Sequence, residues 1–172
     1  PLVAIAANSP FLFGQPLWKE TRIAIFEQSL QQSHGPERVT LGTDYAADDI
    51  TELFEENLRD YPILLPVEPR DPARFYSCLR LQNGTIWRWV RPIVGFDPDG
   101  TPHVRIEQRV LPAGPTVRDM MANAALYFGA VHMLARDLDD AESMLPFALV
   151  RENFYEAARL GLDAKVHWLS GK

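Results

Sequence analysis

The spacing of apolar residues changes along the chain and marks out its elements. Residues 2–7 are apolar and run straight into Asn8-Ser9-Pro10, which reads as the end of an apolar element cut at its start. After that break and Gly14, Trp18, Ile23, Phe26 and Leu30 lie close to a helical stripe, with Arg22 one turn from Trp18, so the pattern predicts a helix over 18–30. A polar loop over 33–43, with His34-Gly35-Pro36 as its turn, leads to a second helix. Ile50, Leu53, Phe54 and Leu58 follow the i, i+3, i+4, i+8 spacing of an amphipathic helix over 48–59, ended by Tyr61-Pro62. Pro62, Pro66, Pro69 and Pro72 then exclude helix and predict an extended stretch, read either as a lid or as a plain connector.

Over 76–111 the period falls to two. Asn83-Gly84 reads as one turn and Asp97-Pro98-Asp99-Gly100 as another, with antiparallel strands expected at 86–94 and 103–111. Pro115-Thr116 opens a long helix, where Thr116 with Asp119 forms a capping-box signature. Val117, Met120, Met121, Ala124, Phe128, Val131 and Ala135 mark its expected buried face. A last helix over 146–160 carries Phe147, Val150, Phe154 and Ala158 on one side and stops at Gly161. The expectation is a single α+β domain over 1–172, an antiparallel sheet with helices packed on one face. No internal repeat interrupts it.

Composition narrows the function classes. With 47% hydrophobic and 23% charged residues the chain is ordinary globular material, long enough to bury a sizeable core. A net charge of -6 and a pI near 5.2 argue against a phosphate-backbone binder, so nucleic acid is not expected as a partner. The one cysteine, Cys78, cannot form an internal disulfide, which favours a reducing compartment. Cys78 sits in no motif and reads as a buried or inert thiol. No basic leader and no apolar run of membrane length occurs near the first residue, so the expectation is a cytoplasmic protein without membrane association.

The chemistry-bearing residues concentrate in one segment. Residues 79–118 hold six arginines and no lysine against three acids, +3 for the segment and therefore -9 for the remainder of a chain at -6. Guanidinium suits bidentate recognition of carboxylate or phosphate. Strand alternation puts Arg105, Glu107 and Arg109 on one face, and Trp87, Trp89 and Arg91 together on the strand before it. The same charges also fit a solvated face of exposed ion pairs worth about 0–1 kcal/mol each. In a cleft they would need partners, which a metal and an anionic ligand could supply. His34, His103, His132 and His167 show no metal-ligand spacing, and Arg22 also reads as an exposed arginine stacked on Trp18. Phosphate-cradling glycine loops, serine elbows and dinucleotide fingerprints are missing, so any ATP would be held by arginines and metal ions.

Three stretches together resemble the glutamate-cysteine ligase family, and within it the bacterial carboxylate-amine ligase branch. They are Ala7-Asn8-Ser9-Pro10-Phe11 followed by Arg22; residues 87–92; and Arg105-Ile106-Glu107-Gln108-Arg109 leading into Pro115-Thr116. The resemblance runs from Ala7 to the Glu152-Asn153-Phe154-Tyr155 helix and corresponds to the later half of that family's catalytic domain. The family's early strands, with a glutamate-rich metal motif, have no counterpart here, so the chain is expected to be part of an enzyme.

The resemblance implies a glutamine-synthetase-like fold, partial in this chain, with the active site on the inner face of the sheet. It implies an ATP-dependent ligase joining the γ-carboxylate of L-glutamate to an amine, cysteine by family default, through an acyl phosphate. Glu107 would be a ligand of Mg2+ or Mn2+ and, with Arg109, catalytic. Arg105 and Arg109 would bind ATP phosphates, Arg22 a substrate carboxylate, and Arg91, Trp87, Asn8 and Ser9 the substrate. The competing readings are a non-catalytic binding or assembly module of the same fold, and a ligase or phosphotransferase acting on another amine or guanidino compound. Oligomeric state, including a homo-oligomer, stays open.

Overall fold

The computed structural model describes residues 1–30, 34–137 and 141–169. In chain order the elements are α1 (Leu2–Ala6), β1 (Phe11–Leu12), β2 (Gln15–Pro16), α2 (Thr21–Leu30), β3 (Val39–Thr40), α3 (Glu52–Asp60), α4 (Ser77–Gly84), β4 (Trp87–Arg88), β5 (Val90–Phe96), β6 (Pro102–Gln108), α5 (Val117–Asp137), α6 (Ala141–Met144) and α7 (Phe147–Leu160). Short 3-10 turns occupy Ala73–Phe75 and Gly161–Asp163. Of the polar loop expected over 33–43, Ser33 lies outside the described residues, and the remainder contains β3. The chain divides into two compact units, Pro1–Phe26 with Val110–Lys172, and Glu27–Arg109.

In the second unit the strands pair as two small sheets. Strand β3 runs parallel to β4, with Val39 opposite Trp87 and Thr40 opposite Arg88. Strands β5 and β6 form an antiparallel hairpin whose register sets Arg91 opposite Glu107 and Ile93 opposite Arg105. The turn expected at Asp97-Pro98-Asp99-Gly100 closes it: the Gly100 amide donates to the Asp97 carbonyl at 2.8 Å, and Gly100 has a φ of 87°, a value glycine reaches without a Cβ clash.

Two local expectations change. Asn83-Gly84 is no hairpin turn but the end of α4, where the Thr85 amide donates back to the Leu81 carbonyl at 3.1 Å. The single strand expected at 86–94 breaks at Trp89, so β4 and β5 join different sheets. Both misreadings come from short local signals: Leu79-Arg80-Leu81 alternates as a strand would and Asn83-Gly84 is a common turn pair, and packing against α3 decides for a helical turn at that length.

Helix α3 ends as expected, with Tyr61 extended ahead of Pro62. Its buried side is partly polar: Phe54, Glu56 and Asn57 point inward, while Leu58 is exposed. The reason is Arg88, whose side chain is only 2% exposed and lies 3.1 Å from Glu56 Oε1. Arg88 Nη2 also donates to Asn57 Oδ1 at 3.1 Å, and Asn57 Nδ2 donates to Asn83 Oδ1 at 3.0 Å. Asn83 Nδ2 then donates to the Pro92 carbonyl at 2.9 Å, so one buried chain of bonds ties α3, α4, β4 and β5. Ile86, Trp89, Val39, Phe54 and Tyr61 supply its apolar surroundings.

The first unit packs Val3, Ala6, Ile23, Val110, Phe154, Ala157 and Ala158 together. Helix α7 keeps its predicted side, and Gly161 beyond it has a positive φ of 58°. The capping box at α5 forms: the Asp119 amide donates to Thr116 Oγ1 at 3.2 Å and the Thr116 amide to Asp119 Oδ2 at 3.1 Å. The expected burial of α5 does not occur. None of its residues is buried; Val117 is 70% and Phe128 60% exposed. A 3.6-residue stripe reports that a helix is amphipathic, and burial additionally needs a partner surface, which this unit does not lay along α5.

Breaking the Arg88 pair from one side should be severe. Glu56→Ala leaves a buried guanidinium without its carboxylate and should cost about 3–5 kcal/mol in denaturant unfolding, against about 1 kcal/mol for Thr116→Ala at the α5 cap; equal losses would refute the ranking.

The turn before α3 should respond to acid. Amides of Ala47, Asp48 and Asp49 donate to the Glu52 carboxylate, which holds its pKa below the ordinary 4.5. A depressed carboxylate stabilises above its ordinary value and loses that contribution as pH falls through its folded value. The three amide resonances should therefore titrate with a midpoint below 4.5; a midpoint at or above it would contradict the bonds.

Candidate functional site

In the second unit, hairpin register builds the site. Because Arg91 and Glu107 are directly opposite, their side chains meet: Arg91 Nε lies 2.7 Å from Glu107 Oε2. Arg109 Nε approaches the same oxygen at 3.6 Å, so one carboxylate serves two guanidiniums. The Arg109 guanidinium carbon stands 3.3 Å from the Trp87 ring centroid, a stacked cation-π contact. Trp87 is braced in turn by an edge contact with the buried Trp89, ring centroids 6.0 Å apart. Arg91 Nη1 donates to the Asn83 carbonyl at 3.3 Å, connecting this face to the buried polar chain. The structure thus brings Trp87, Arg91, Glu107 and Arg109 together, with Arg105 further along the same face of β6.

Asn8, Ser9 and Arg22 form a separate cluster in the first unit. They converge on Glu20, which is fully buried. Arg22 Nε donates to Glu20 Oε1 at 3.1 Å, and the Asn8 amide to Glu20 Oε2 at 3.3 Å. Arg22 Nη2 donates to the Val110 carbonyl at 2.8 Å, and Asn8 Nδ2 to the Ala113 carbonyl at 2.5 Å. The Arg22 amide donates to Ser9 Oγ at 3.5 Å, near the start of α2. Asn8-Ser9 is therefore a hydrogen-bonded brace for Arg22, and the expected stacking partner of Arg22, Trp18, stacks with Arg159 at 5.0 Å.

A sequence profile described as glutamate-cysteine ligase family 2 matches residues 1–172. The chain belongs to that family. A protein of Trichormus variabilis named "Putative glutamate--cysteine ligase 2" is 27% identical over 173 residues, covering 95% of this chain. The chain spans about a third of that relative's length, 36%. No solved structure matches.

For this family 2 chain, two site residues escaped sequence reasoning. Glu20 carried one usable signal, its place two residues from Arg22. Asn83 was hidden by its reading as a turn, because the period-two pattern concealed the helical character of α4. Cys78, expected to be buried or inert, is exposed, and lines an apolar cavity of about 330 Å3 with Leu58, Ile63, Leu65 and Val67. Among the described residues no three acidic, histidine or cysteine side chains gather in a metal-binding group, and no helix is long and apolar enough to cross a membrane.

The Glu107 cluster should contribute little to stability. Glu107 is 38% exposed, so solvent screens its pairs, and a double-mutant cycle between Arg91→Ala and Glu107→Ala should return a coupling of about 0.5–1 kcal/mol. A coupling of several kcal/mol would make the cluster a structural element.

Proposed function

We propose that this chain forms part of an ATP-dependent carboxylate-amine ligase of the glutamate-cysteine ligase kind, with β5 and β6 belonging to a glutamine-synthetase-like antiparallel sheet in the whole enzyme. The observation that carries the reading is Glu107 held between Arg91 and Arg109 over Trp87, on a half-exposed face of the hairpin. In the reaction, an oxygen of the glutamate γ-carboxylate attacks the γ-phosphorus of ATP and ADP leaves. The amine nitrogen then attacks the acyl carbon, inorganic phosphate leaves, and the nitrogen's proton passes to solvent. The acceptor proposed is cysteine, by family default.

The residues divide this work by charge and reach. Arg109, its guanidinium plane set by Trp87, would stabilise charge on the transferred phosphoryl oxygens, and Arg105 would hold the nucleotide phosphates. Arg91 and Trp87 would contact substrate or nucleotide. Glu20 holds Arg22 in one orientation, as gripping a substrate carboxylate requires, and Asn8 and Ser9 brace that pair. Glu107 offers the hard oxygen that Mg2+ or Mn2+ prefers, and such an ion is commonly held by one or two carboxylates, phosphate oxygens and water, which suits a single carboxylate from this chain. When bound, the ion would neutralise phosphate charge. The acidic balance of the chain fits small-molecule substrates and a cytoplasmic setting.

Calorimetric titration with magnesium-ATP and with L-glutamate tests the reading, beside a Glu107→Ala, Arg109→Ala control. Binding by the native chain that the control loses supports it. In an enzyme of full length, Glu107→Ala should lower metal-dependent turnover by at least about a hundredfold with folding intact. Retained turnover would remove Glu107 from the mechanism; a folded chain that binds neither ligand would favour a non-catalytic assembly module.

A further inference from the structure

The apolar cavity of about 330 Å3 takes no part in the chemistry proposed above and shares no lining residue with the Glu107 cluster. Leu58 from the end of α3, Ile63 and Val67 from the proline-spaced stretch, and Leu79 and Leu81 from α4 form its walls. Leu58, Ile63 and Val67 are 59%, 70% and 60% exposed, so apolar surface stands in water around a hollow that could cover it. The polar atoms of the wall are committed inward. Gln82 Nε2 donates to the Tyr61 carbonyl at 3.0 Å, and Thr85 Oγ1 to the Gln82 carbonyl at 2.8 Å. The hollow therefore suits an apolar chain.

A second observation gives that chain a head group. Arg38 is only 4% exposed, yet among the described residues no carboxylate lies within ion-pair distance of it. Its contacts are neutral: Nη1 donates to Thr85 Oγ1 at 3.0 Å and Nη2 to the Pro62 carbonyl at 2.5 Å, with the guanidinium carbon 5.9 Å from the Tyr61 ring centroid. Among the described residues Arg38 Nε meets no acceptor. Arg88, buried in the same unit, differs in having Glu56 beside it. Thr85 lines the cavity and Pro62 adjoins the lining residue Ile63, so the uncompensated charge stands immediately behind one wall. Away from bulk water a charge acts strongly across the width of a side chain.

From these two features we infer that the cavity binds a small aliphatic carboxylate, its chain against Leu79 and Leu81 and its head toward Arg38 at the Thr85 end. Charge selects an anion, because Arg38 lacks one. The apolar walls select a carboxylate over a phosphate, since they offer few donors to replace the water around a doubly charged group. At roughly 30 Å3 for a water-sized group, the volume takes about eleven such groups, close to the size of octanoate. The inference does not depend on the ligase reading.

Cys78 reports on the site, being exposed, part of its wall and the one thiol of the chain. Its rate of reaction with a maleimide is followed in the 172-residue chain during titration with butanoate, hexanoate, octanoate, octylamine and 1-octanol, with calorimetry in parallel. Octanoate should bind at roughly 0.1–1 mM and slow the labelling. Each methylene added between butanoate and octanoate should tighten binding about three- to fourfold, and octylamine should bind at least about tenfold more weakly than octanoate. Val67→Asp, at an exposed loop position, should weaken octanoate severalfold and spare octylamine. Arg38→Met, which keeps the length and removes the charge, should erase the preference for octanoate over 1-octanol; should that variant not fold, Val67→Asp and the chain-length series decide. Octylamine matching octanoate, affinity independent of chain length, or labelling that saturating octanoate leaves unchanged would overturn the site. So would shielding of Cys78 that grows with protein concentration alone, which would assign the groove to a second copy of the chain.

Discussion

Arg88 is a full positive charge placed where water does not reach, and the second unit is arranged around that fact. Removing a guanidinium from water costs several kcal/mol even after relaxation, so it persists in an interior only with partners of good geometry. Glu56 supplies the charge and Asn57 the second acceptor, both from α3. The compensation is incomplete, since among the described residues Arg88 Nε meets no acceptor. The arrangement fixes how α3 seats on β4, because its Glu56 carboxylate and Asn57 amide oxygen both meet the one guanidinium.

That requirement propagates outward to the chemistry. Asn57, fixed by Arg88, holds Asn83; Asn83 holds the Pro92 carbonyl with its side chain and Arg91 with its own carbonyl. Arg91 in turn meets Glu107, which faces Arg109, which stacks on Trp87. Each step is an ordinary hydrogen bond or ion pair. Their joint effect is that a half-exposed cluster is tied to a buried polar network, as a preorganised site requires. In the first unit Glu20 has the same relation to Arg22: a buried carboxylate orients an arginine whose head is partly in solvent.

The legible part of the candidate site was its residue types and their strand faces. Glu107 between two arginines could be read from alternation alone, because side chains two apart on a strand must share a face. The opposing residue could not. That Arg91, rather than Arg88 or Ile93, meets Glu107 depends on the hairpin register, and the break at Trp89 erased the count that would have carried alternation across from Trp87. Asn83 was out of reach because its segment, read as a turn between strands, is the end of a helix.

By itself the sequence determined the helices whose stripes and caps are local: α3 with its stop at Tyr61-Pro62, α5 with the Thr116–Asp119 box, and α7 ending at Gly161. It also determined the charged face of β6 and the family. These follow from periods, caps and turn residues, which act within one or two turns of chain. Tertiary structure alone decided which faces are covered. Phe128, read as core, stands in solvent, while Arg88, Glu20 and Asn57, polar and read as nothing in particular, are buried. Burial is a property of two surfaces, and an amphipathic pattern describes only one of them; whether a charge is interior depends on the distant residue that neutralises it, and no local pattern names that residue.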